Sequence, residues 1–588
     1  MFDLDRHQMK LTDYLAKQLQ VNGIKTVFGL QGGAVVHIFD SFEKYGMNVF
    51  YTHHEQTASL AATANSKVTD EIGCAVVTTG PGSTNAITGL LGAWQDSIPV
   101  IFISGQVRDI HMSYGKKVRQ IGTQEANIID VVKPITKKVF LIKKSSSIIK
   151  ILNEAINVCI SDRPGPVWID VPLNFQWENI HATKKDFFKV KKNNSIHKSK
   201  KSKNLQRLKI TNFSELLKSA KNPLIVLGYG IRLSKSTEEA RQFIKKHNFQ
   251  FVTTWTASDI FETKESLNLG IIGMRGQRGA NIAIFKADLI ICLGTHLSIS
   301  QTSTLTKDYA PKAKKIIVDV DKEQLKNLNI KFDLKINMDL KDFFSKIKYS
   351  NFRNGINKSF SGLKNLNWYY PIQKKLPNPN VFFRELTKKA ANKTCIIVDG
   401  GGTALYTGFQ SSYIRLNQRI ICSSAISSMG TALAETIGTY TSNKFKKFIS
   451  IIGDGSFLMN IQDLQSIKSL NIPVVICVIN NNGYLAIRHT QKEFLNGNFY
   501  GTHPKWSLEM PSIKKIAKGF DIDYLKLDKS KNIISYAEKL IKKNKPIICE
   551  VIVDEEEKEL FSQGYLANKD GSFTPLSLDK MEPKLELK

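Results

Sequence analysis

Two oxygen-bearing residues, Asp454 and Asn481, end successive apolar runs in FISIIGDGSFLMNIQDLQSIKSLNIPVVICVINNNGY, from Phe448 to Tyr484. A carboxylate and an amide oxygen suit a hard cation such as magnesium, which takes oxygen ligands in a small octahedron and keeps positions for phosphate. Gly455 and Ser456 open a helix-like segment, where free backbone N–H groups and the helix dipole favour a phosphate anion. In a parallel α/β sheet both strand ends lie at one edge, where such sheets bind ligands. The expected chemistry is therefore a cation paired with a diphosphate. Alone, Gly453, Asp454 and Gly455 are more often a plain turn. The second strand and the asparagines Asn480, Asn481 and Asn482 in matching register favour the functional reading.

The elements that must position these groups recur along the chain. From Leu11 to about Asn179, helical patterns alternate with the apolar runs TVFGL, MNVFYT, CAVVTT, VIFIS and VWIDV. PLIVLGYG, FVTTW, DLIICLG and KIIVDVD follow between about Thr211 and Lys348, then TCIIVDGG, IICSSA, FISIIGDG, PVVICVIN and IICEVIV up to about Asp554. Such alternation predicts parallel α/β sheets. The expected organisation is a first domain over 1–180, a basic linker over 181–210, a central domain over 211–348, a second linker over 349–377, a third domain over 378–555 and a C-terminal arm over 556–588.

Bulk composition narrows the function classes. The chain has 588 residues, 42% of them hydrophobic, enough for several cores. No run approaches the roughly 18 apolar residues of a membrane span, and MFDLDRHQMK lacks a signal-peptide shape, so a cytoplasmic protein without membrane association is expected. The seven cysteines form no CxxC pair and sit mostly in strand-like runs, which predicts buried reduced thiols. The net charge of +31 is mostly lysine spread over surfaces and linkers. No recognition helix, zinc finger or aromatic-basic signature accompanies it, so no nucleic-acid partner is expected, while attraction of anionic substrates stays compatible.

The GDG to NNN segment resembles the thiamine-diphosphate motif of acetolactate synthases and their relatives. The resemblance covers nearly the whole chain and implies three doubly wound parallel-sheet domains of the thiamine-diphosphate enzyme fold: pyrimidine-binding, central and diphosphate-binding. It implies Asp454, the Asn481 side chain and the Gly483 carbonyl as magnesium ligands, with Gly455 and Ser456 beside the cofactor. It also implies a homodimer or homotetramer, because in that family the cofactor lies between the first domain of one subunit and the third of another. A regulatory subunit stays open.

FYTHHEQTASLAATANSK places Glu55 after an apolar strand, at the start of an alanine-rich helix. A helix N-terminus favours any carboxylate, so a lone HEQ reads first as a cap. The following TTGPGSTNAITGLLGAWQDSIPVIFISGQ changes that, because it resembles the same family and makes Glu55 its catalytic glutamate. Thiazolium C2 is a weak carbon acid, and a carboxylate bonded to the cofactor's pyrimidine promotes loss of that proton near neutral pH.

Other site residues follow by resemblance. FGLQGGAVVHIF resembles the active-site glycine loop and puts Gly32, Gly33 and Ala34 beside substrate; His37, close by in the sequence, either bonds a polar acceptor on the substrate side or simply sits in a helix. Gln124 corresponds to the substrate-side glutamine of the family's FQE segment. Gln31 stands where the usual acetolactate synthase has proline, and Thr123 replaces the phenylalanine before Gln124. In IIVDGGGTALYTG, Gly401, Gly402 and Thr403 are expected at the diphosphate. In SSAISSMGTALAETIG, Met429 is expected to prop the cofactor into its bent shape, and the Ser427 carbonyl to accept from its amino group. FAD, which this family commonly binds in the middle domain, is left open: His296 replaces the arginine of GxRxS and Ser300 the next basic residue, and both losses weaken a phosphate grip.

The expected function is a thiamine-diphosphate- and magnesium-dependent carboligase. A 2-oxo acid, pyruvate first, loses carbon dioxide and its acyl carbanion passes to a second carbonyl. NNNGYLAIRHTQ and PLSLDKMEP resemble acetolactate synthase-like proteins of surface-sugar pathways more than amino-acid biosynthetic ones, which leaves a keto-sugar acceptor beside pyruvate or 2-oxobutanoate. The alternatives are a 2-oxo acid decarboxylase or lyase on the same fold and, from another class, a non-catalytic binding protein.

Overall fold

The computed structural model describes residues 6–190, 200–350, 352, 358–368, 370, 375–557, 560–568 and 572–585. Positions 191–199 of the expected basic linker, 351, 353–357, 369 and 371–374 of the second linker, and 558–559, 569–571 and 586–588 of the arm lie outside the described residues, as do 1–5.

Three parallel sheets, each of six strands, dominate the described residues, beside three two-stranded antiparallel sheets. The first runs, edge to edge, Asn48–Tyr51, Thr26–Gly29, Gly73–Val77, Val100–Gln106, Val167–Pro172 and Lys138–Leu141. The third runs Arg419–Ile421, Thr394–Val398, Lys447–Gly453, Val474–Asn480, Ile547–Ile552 and Asp523–Leu527. Numbered by sequence, both have the order 2-1-3-4-6-5. The central sheet runs Asn268–Ile271, Phe251–Thr253, Pro223–Leu227, Leu289–Leu293, Lys314–Asp319 and Leu334–Asn337, the order 3-2-1-4-5-6 of dinucleotide-binding folds. Interior strands such as Gly73–Val77, Leu289–Leu293 and Thr394–Val398 are buried throughout, as continuous apolar runs covered by helices on both faces must be.

Each sheet has a point where the chain reverses its direction of winding, and side chains beyond the strand ends converge there. In the first sheet it lies past Gly29 and Val77, in the third past Val398 and Gly453, in the central one past Leu227 and Leu293. The candidate residues singled out in the sequence gather near these three places.

The first and third domains share one apolar core, in which Phe28, Ala61 and Phe102 join Ile397, Leu433 and Ile476. Their central contact is helix on helix, Glu55–Thr69 against Ala432–Tyr440. A Cβ at Gly438 would stand 2.1 Å from the Ala61 carbonyl oxygen, so no larger residue fits without parting the helices. Asn65 Nδ2 donates to the Gly438 carbonyl at 3.2 Å and Thr57 Oγ1 to Asp463 Oδ1 at 2.7 Å. Gly438→Ala is expected to cost about 1–3 kcal/mol, as overpacking does, read as a lower denaturation midpoint with an unchanged denaturant slope.

Buried ions join the same domains. Lys67 Nζ sits 2.9 Å from Asp96, 3.9 Å from Glu435 and 2.7 Å from the Cys422 carbonyl. Burial pulls this ammonium toward its neutral form, but the two carboxylates outweigh it and hold Lys67 above its usual range. Asp259 likewise takes Arg232 and Arg419 at 2.7 Å each, tying the central domain to the third. All seven cysteines are free and buried. No helix among the described residues is long and apolar enough to cross a membrane.

The helix Lys200–Ser219 runs through residue 210, where composition alone suggests the end of a linker, because Phe213 and Leu217 anchor its far end in the central core. The described part of the arm folds back: the Gln563 amide donates to the Met274 carbonyl at 2.8 Å, and Arg278 Nη1 to the Met581 carbonyl at 3.0 Å.

Candidate active site

Two clusters stand at equivalent winding points of the first and third sheets. In the first, Glu55 opens its helix, and the preceding His54 supplies the cap, its Nδ1 accepting from the Gln56 amide at 3.0 Å. Glu55 is thus not needed as a cap. It is 7% exposed, and Asn85 Nδ2 donates to its Oε2 at 3.0 Å. Gly82 lies 3.3 Å from Glu55 Oε1 and 2.6 Å from Thr78 Cγ2, measured from an ideal Cβ, and Gly32 lies 2.6 Å from Thr78 Cβ. The Ala34 amide reaches Thr78 Oγ1 at 3.4 Å. Gln124 joins through its carbonyl oxygen, 2.1 Å from an ideal Cβ at Gly80.

The geometry thus gathers Glu55, Gly32, Ala34 and Gln124, with Gly33 between them in the loop. His37 lies on the helix Val36–Lys44, its ring centroid 5.3 Å from that of Trp177, with Lys10 and Asp40 as its charged neighbours.

The second cluster follows from strand, turn and helix. Strands Lys447–Gly453 and Val474–Asn480 are parallel neighbours with Gly453 opposite Ile479, so Asp454 and Asn481 emerge side by side. Asp454 Oδ1 accepts from the Gly455 amide at 2.8 Å and Oδ2 from the Gly483 amide at 2.9 Å. Burial nonetheless pushes this carboxyl up to about 6. Asn481 is 5% exposed, and its Oδ1 is buried with no hydrogen-bond partner. Gly483 adopts φ +125°, open only to glycine, and aligns its amide with Asp454.

An unpartnered amide oxygen beside a buried carboxylate fits a divalent cation, which would supply both the missing partner and the missing countercharge. Among the described residues no three His, Cys, Asp or Glu side chains gather as a metal cluster. The fit therefore depends on amide, carbonyl and phosphate oxygens, as magnesium prefers.

Asp454, Gly455, Ser456, Asn481, Gly483, Gly401, Gly402, Thr403, Ser427 and Met429 all line one cavity of about 1720 Å³. Met429 Cγ lies 2.6 Å from an ideal Cβ at Gly401, so the Met429 and Gly401 segments interlock. None of Glu55, Gly32, Gly33, Ala34, His37 or Gln124 is among its lining residues. Within one chain the two clusters are separate.

The cavity extends into the central winding point, lined there by Tyr229, Gly230, Gly294, His296, Asp319 and Asp321. His296 Nδ1 is 2.9 Å from Gln324 Oε1, and burial, then Arg163, holds its pKa below the usual value, so it offers no fixed cation. Arg163 Nη1 pairs with Asp321 at 3.1 Å.

Several contributors escape sequence reading. Asn85 holds the glutamate. Asp399, fully buried, accepts from the Thr431 amide at 2.8 Å and the Gly401 amide at 3.2 Å, joining two segments of the second cluster. Arg488 donates to the carbonyls of Asn481 at 2.7 Å, Thr502 at 2.9 Å and Glu555 at 3.0 Å, clamping the loop. Only Asn85 and Asp399 sit inside runs whose Gly pattern signals chemistry.

Comparison with known proteins agrees with this architecture. Residues 9–130 match the family model "Thiamine pyrophosphate enzyme, N-terminal TPP binding domain", 210–347 the central domain and 400–551 the C-terminal TPP binding domain. An acetolactate synthase large subunit from Buchnera aphidicola subsp. Schizaphis graminum is 30% identical over 496 residues, 82% of this chain and 84% of its own. One from Cyanidium caldarium is 29% identical over 563 residues, 92% of each chain. The isozyme 2 large subunit of Escherichia coli is 25% identical over 553 residues, 93% of this chain and 96% of its own. The chain belongs to the thiamine pyrophosphate enzyme family and is acetolactate synthase large-subunit-like.

Proposed function

We propose that the protein is a carboligase that uses thiamine diphosphate and magnesium to decarboxylate a 2-oxo acid, pyruvate first, and join the acyl carbon to a second carbonyl. The observation that carries this is the pairing of a buried glutamate at one winding point with a buried carboxylate–amide oxygen pair at the equivalent point of a sheet with the same strand order. Asp454, Asn481 Oδ1 and the Gly483 carbonyl would hold the metal, and Gly401, Gly402, Thr403, Gly455 and Ser456 the diphosphate. Met429 would shape the cofactor, and the Ser427 carbonyl would accept from its amino group. When bound, the cofactor supplies the electron sink that lets a 2-oxo acid lose carbon dioxide. Glu55 would control the proton at its pyrimidine, and Gly32, Gly33, Ala34, His37 and Gln124 would face substrate.

Because Glu55 does not line the Asp454 cavity, the working unit in this reading is at least a homodimer, the first domain of one copy closing over the third domain of another. Analysis of products from pyruvate alone and with keto-sugars tests the function. A new carbon–carbon bond supports it, and aldehyde alone means a decarboxylase. No consumption of any 2-oxo acid with both cofactors supplied means a binding protein.

FAD is the finer question. The central crevice has the dinucleotide strand order, and Asp319 and Asp321 line the cavity there. His296 and Ser300 give it no cation for the phosphates. Flavin absorption in the purified protein decides it directly.

A further inference from the structure

Between Met112 and Asn127 the chain forms neither helix nor strand, yet this segment carries Gln124. Something other than sheet or helix pairing must set its shape. The Glu125 carboxylate is at its centre. Oε1 accepts from the Ser113 amide and from Ser113 Oγ at 2.8 Å; Oε2 accepts from the Ile121 amide at 2.9 Å and the Gly122 amide at 3.2 Å. One side chain thus draws residues 113 and 121–122 together. Burial pushes the carboxyl upward, but the surrounding donors outweigh it and hold Glu125 below its usual range, which keeps it an ionised acceptor.

The residue beside it pays a conformational cost. Gln124 has φ +60°, the left-handed region that residues with a side chain seldom adopt. Such a conformation persists only where its surroundings over-determine it. Two contacts do so here: Gly80 approaches the Gln124 carbonyl too closely for any Cβ, and Thr79 Oγ1 reaches the same oxygen at 3.4 Å. Glu125 closes the loop from the other side.

We propose that Glu125 is a positioning residue, whose carboxylate binds the loop into the shape that holds Gln124 left-handed on the Glu55 face. The inference rests on the reading of Gln124 as a substrate-side residue. The four hydrogen bonds of the Glu125 carboxylate all go to its own loop, so it acts through its neighbour.

The test uses Glu125→Gln, Gln124→Ala and the double variant in the full-length enzyme saturated with thiamine diphosphate and magnesium. Glu125→Gln keeps one acceptor oxygen but turns an amide group toward N–H donors. It is expected to raise KM for the 2-oxo acid about tenfold, the worth of one or two hydrogen bonds, with cofactor affinity unchanged. Gln124→Ala is expected to do the same, and the double variant to be no worse than either single one. Amide exchange at Ser113, Ile121 and Gly122 should accelerate in Glu125→Gln, while the melting temperature stays close to that of the parent. An unchanged KM in Glu125→Gln, or effects of the two single changes that multiply in the double variant, overturns the proposal. If Gln124→Ala leaves KM unchanged, the substrate-side reading of Gln124 fails first and the role of Glu125 falls with it.

Discussion

Glu55→Gln leaves a folded protein that binds its cofactor and turns over at least about 100-fold more slowly, the lower end of what a lost proton-transfer group costs. The substitution is nearly isosteric. It keeps an oxygen for Asn85 Nδ2, and the helix start does not depend on it, because His54 provides the cap. Stability should therefore change by less than about 1 kcal/mol. What disappears is the buried carboxyl group, 7% exposed, that would hold a proton on the cofactor's pyrimidine. The decisive measurement is deuterium exchange at thiamine C2, followed by NMR in the bound state. Slowed exchange with normal cofactor affinity assigns the proton step to Glu55, and unchanged exchange removes it.

Asp454→Asn is expected to abolish the stabilisation that magnesium and thiamine diphosphate together confer. A ligand present at 100 times its dissociation constant adds about 2.7 kcal/mol to a protein that binds it only when folded. The parent enzyme should show that rise in melting temperature and the variant almost none. The metal-free proteins should differ in their pH dependence. Burial pushes Asp454 up to about 6, so near pH 7 the ionised carboxylate is a burden that folding carries. Above its usual carboxylate pKa the native state is progressively penalised as pH rises through about 6. Asparagine removes that pH-dependent penalty but turns an amide group toward the Gly455 or Gly483 N–H, so the metal-free variant should lack the parent's fall in melting temperature as pH rises through about 6. A variant that still gains stability from both cofactors would leave Asp454 without a metal role.

The strands that composition reveals and those it hides differ in a physical way. Every run read as a strand from its apolar content appears in a sheet. Within the three six-stranded sheets, four more strands escape that reading: Lys138–Leu141, Asn268–Ile271, Leu334–Asn337 and Asp523–Leu527. All four are edge strands. An edge strand has one neighbour, and those at Lys138–Leu141 and Asp523–Leu527 stay partly exposed, so their sequences carry the lysines and aspartates that protect an open edge. Such residues look like loop. The Lys200–Ser219 helix hides for a similar reason, since lysines crowd its start and its burying residues come late.

Asp454, Asn481 and Gly483 were legible because one strand–helix–strand unit contains them all, and local geometry delivers successive strand ends to one edge. Glu55 was legible through the run that follows it. Contiguity does not extend further. Asn85 reaches Glu55 from another helix, and Arg488 clamps carbonyls as distant as Glu555. Glu125 shapes a segment without helical or strand periodicity. Such contacts depend on where distant pieces of backbone meet, and neither spacing nor residue type records that. The same holds for the largest fact about the site: the two halves of the proposed cofactor cradle do not share a cavity within one chain. The motifs alone specify which groups are present, because their chemistry is carried in short continuous runs. Domain packing, through the buried Lys67 and Asp259 clusters and the close helix contact at Gly438, decides which of those groups can meet.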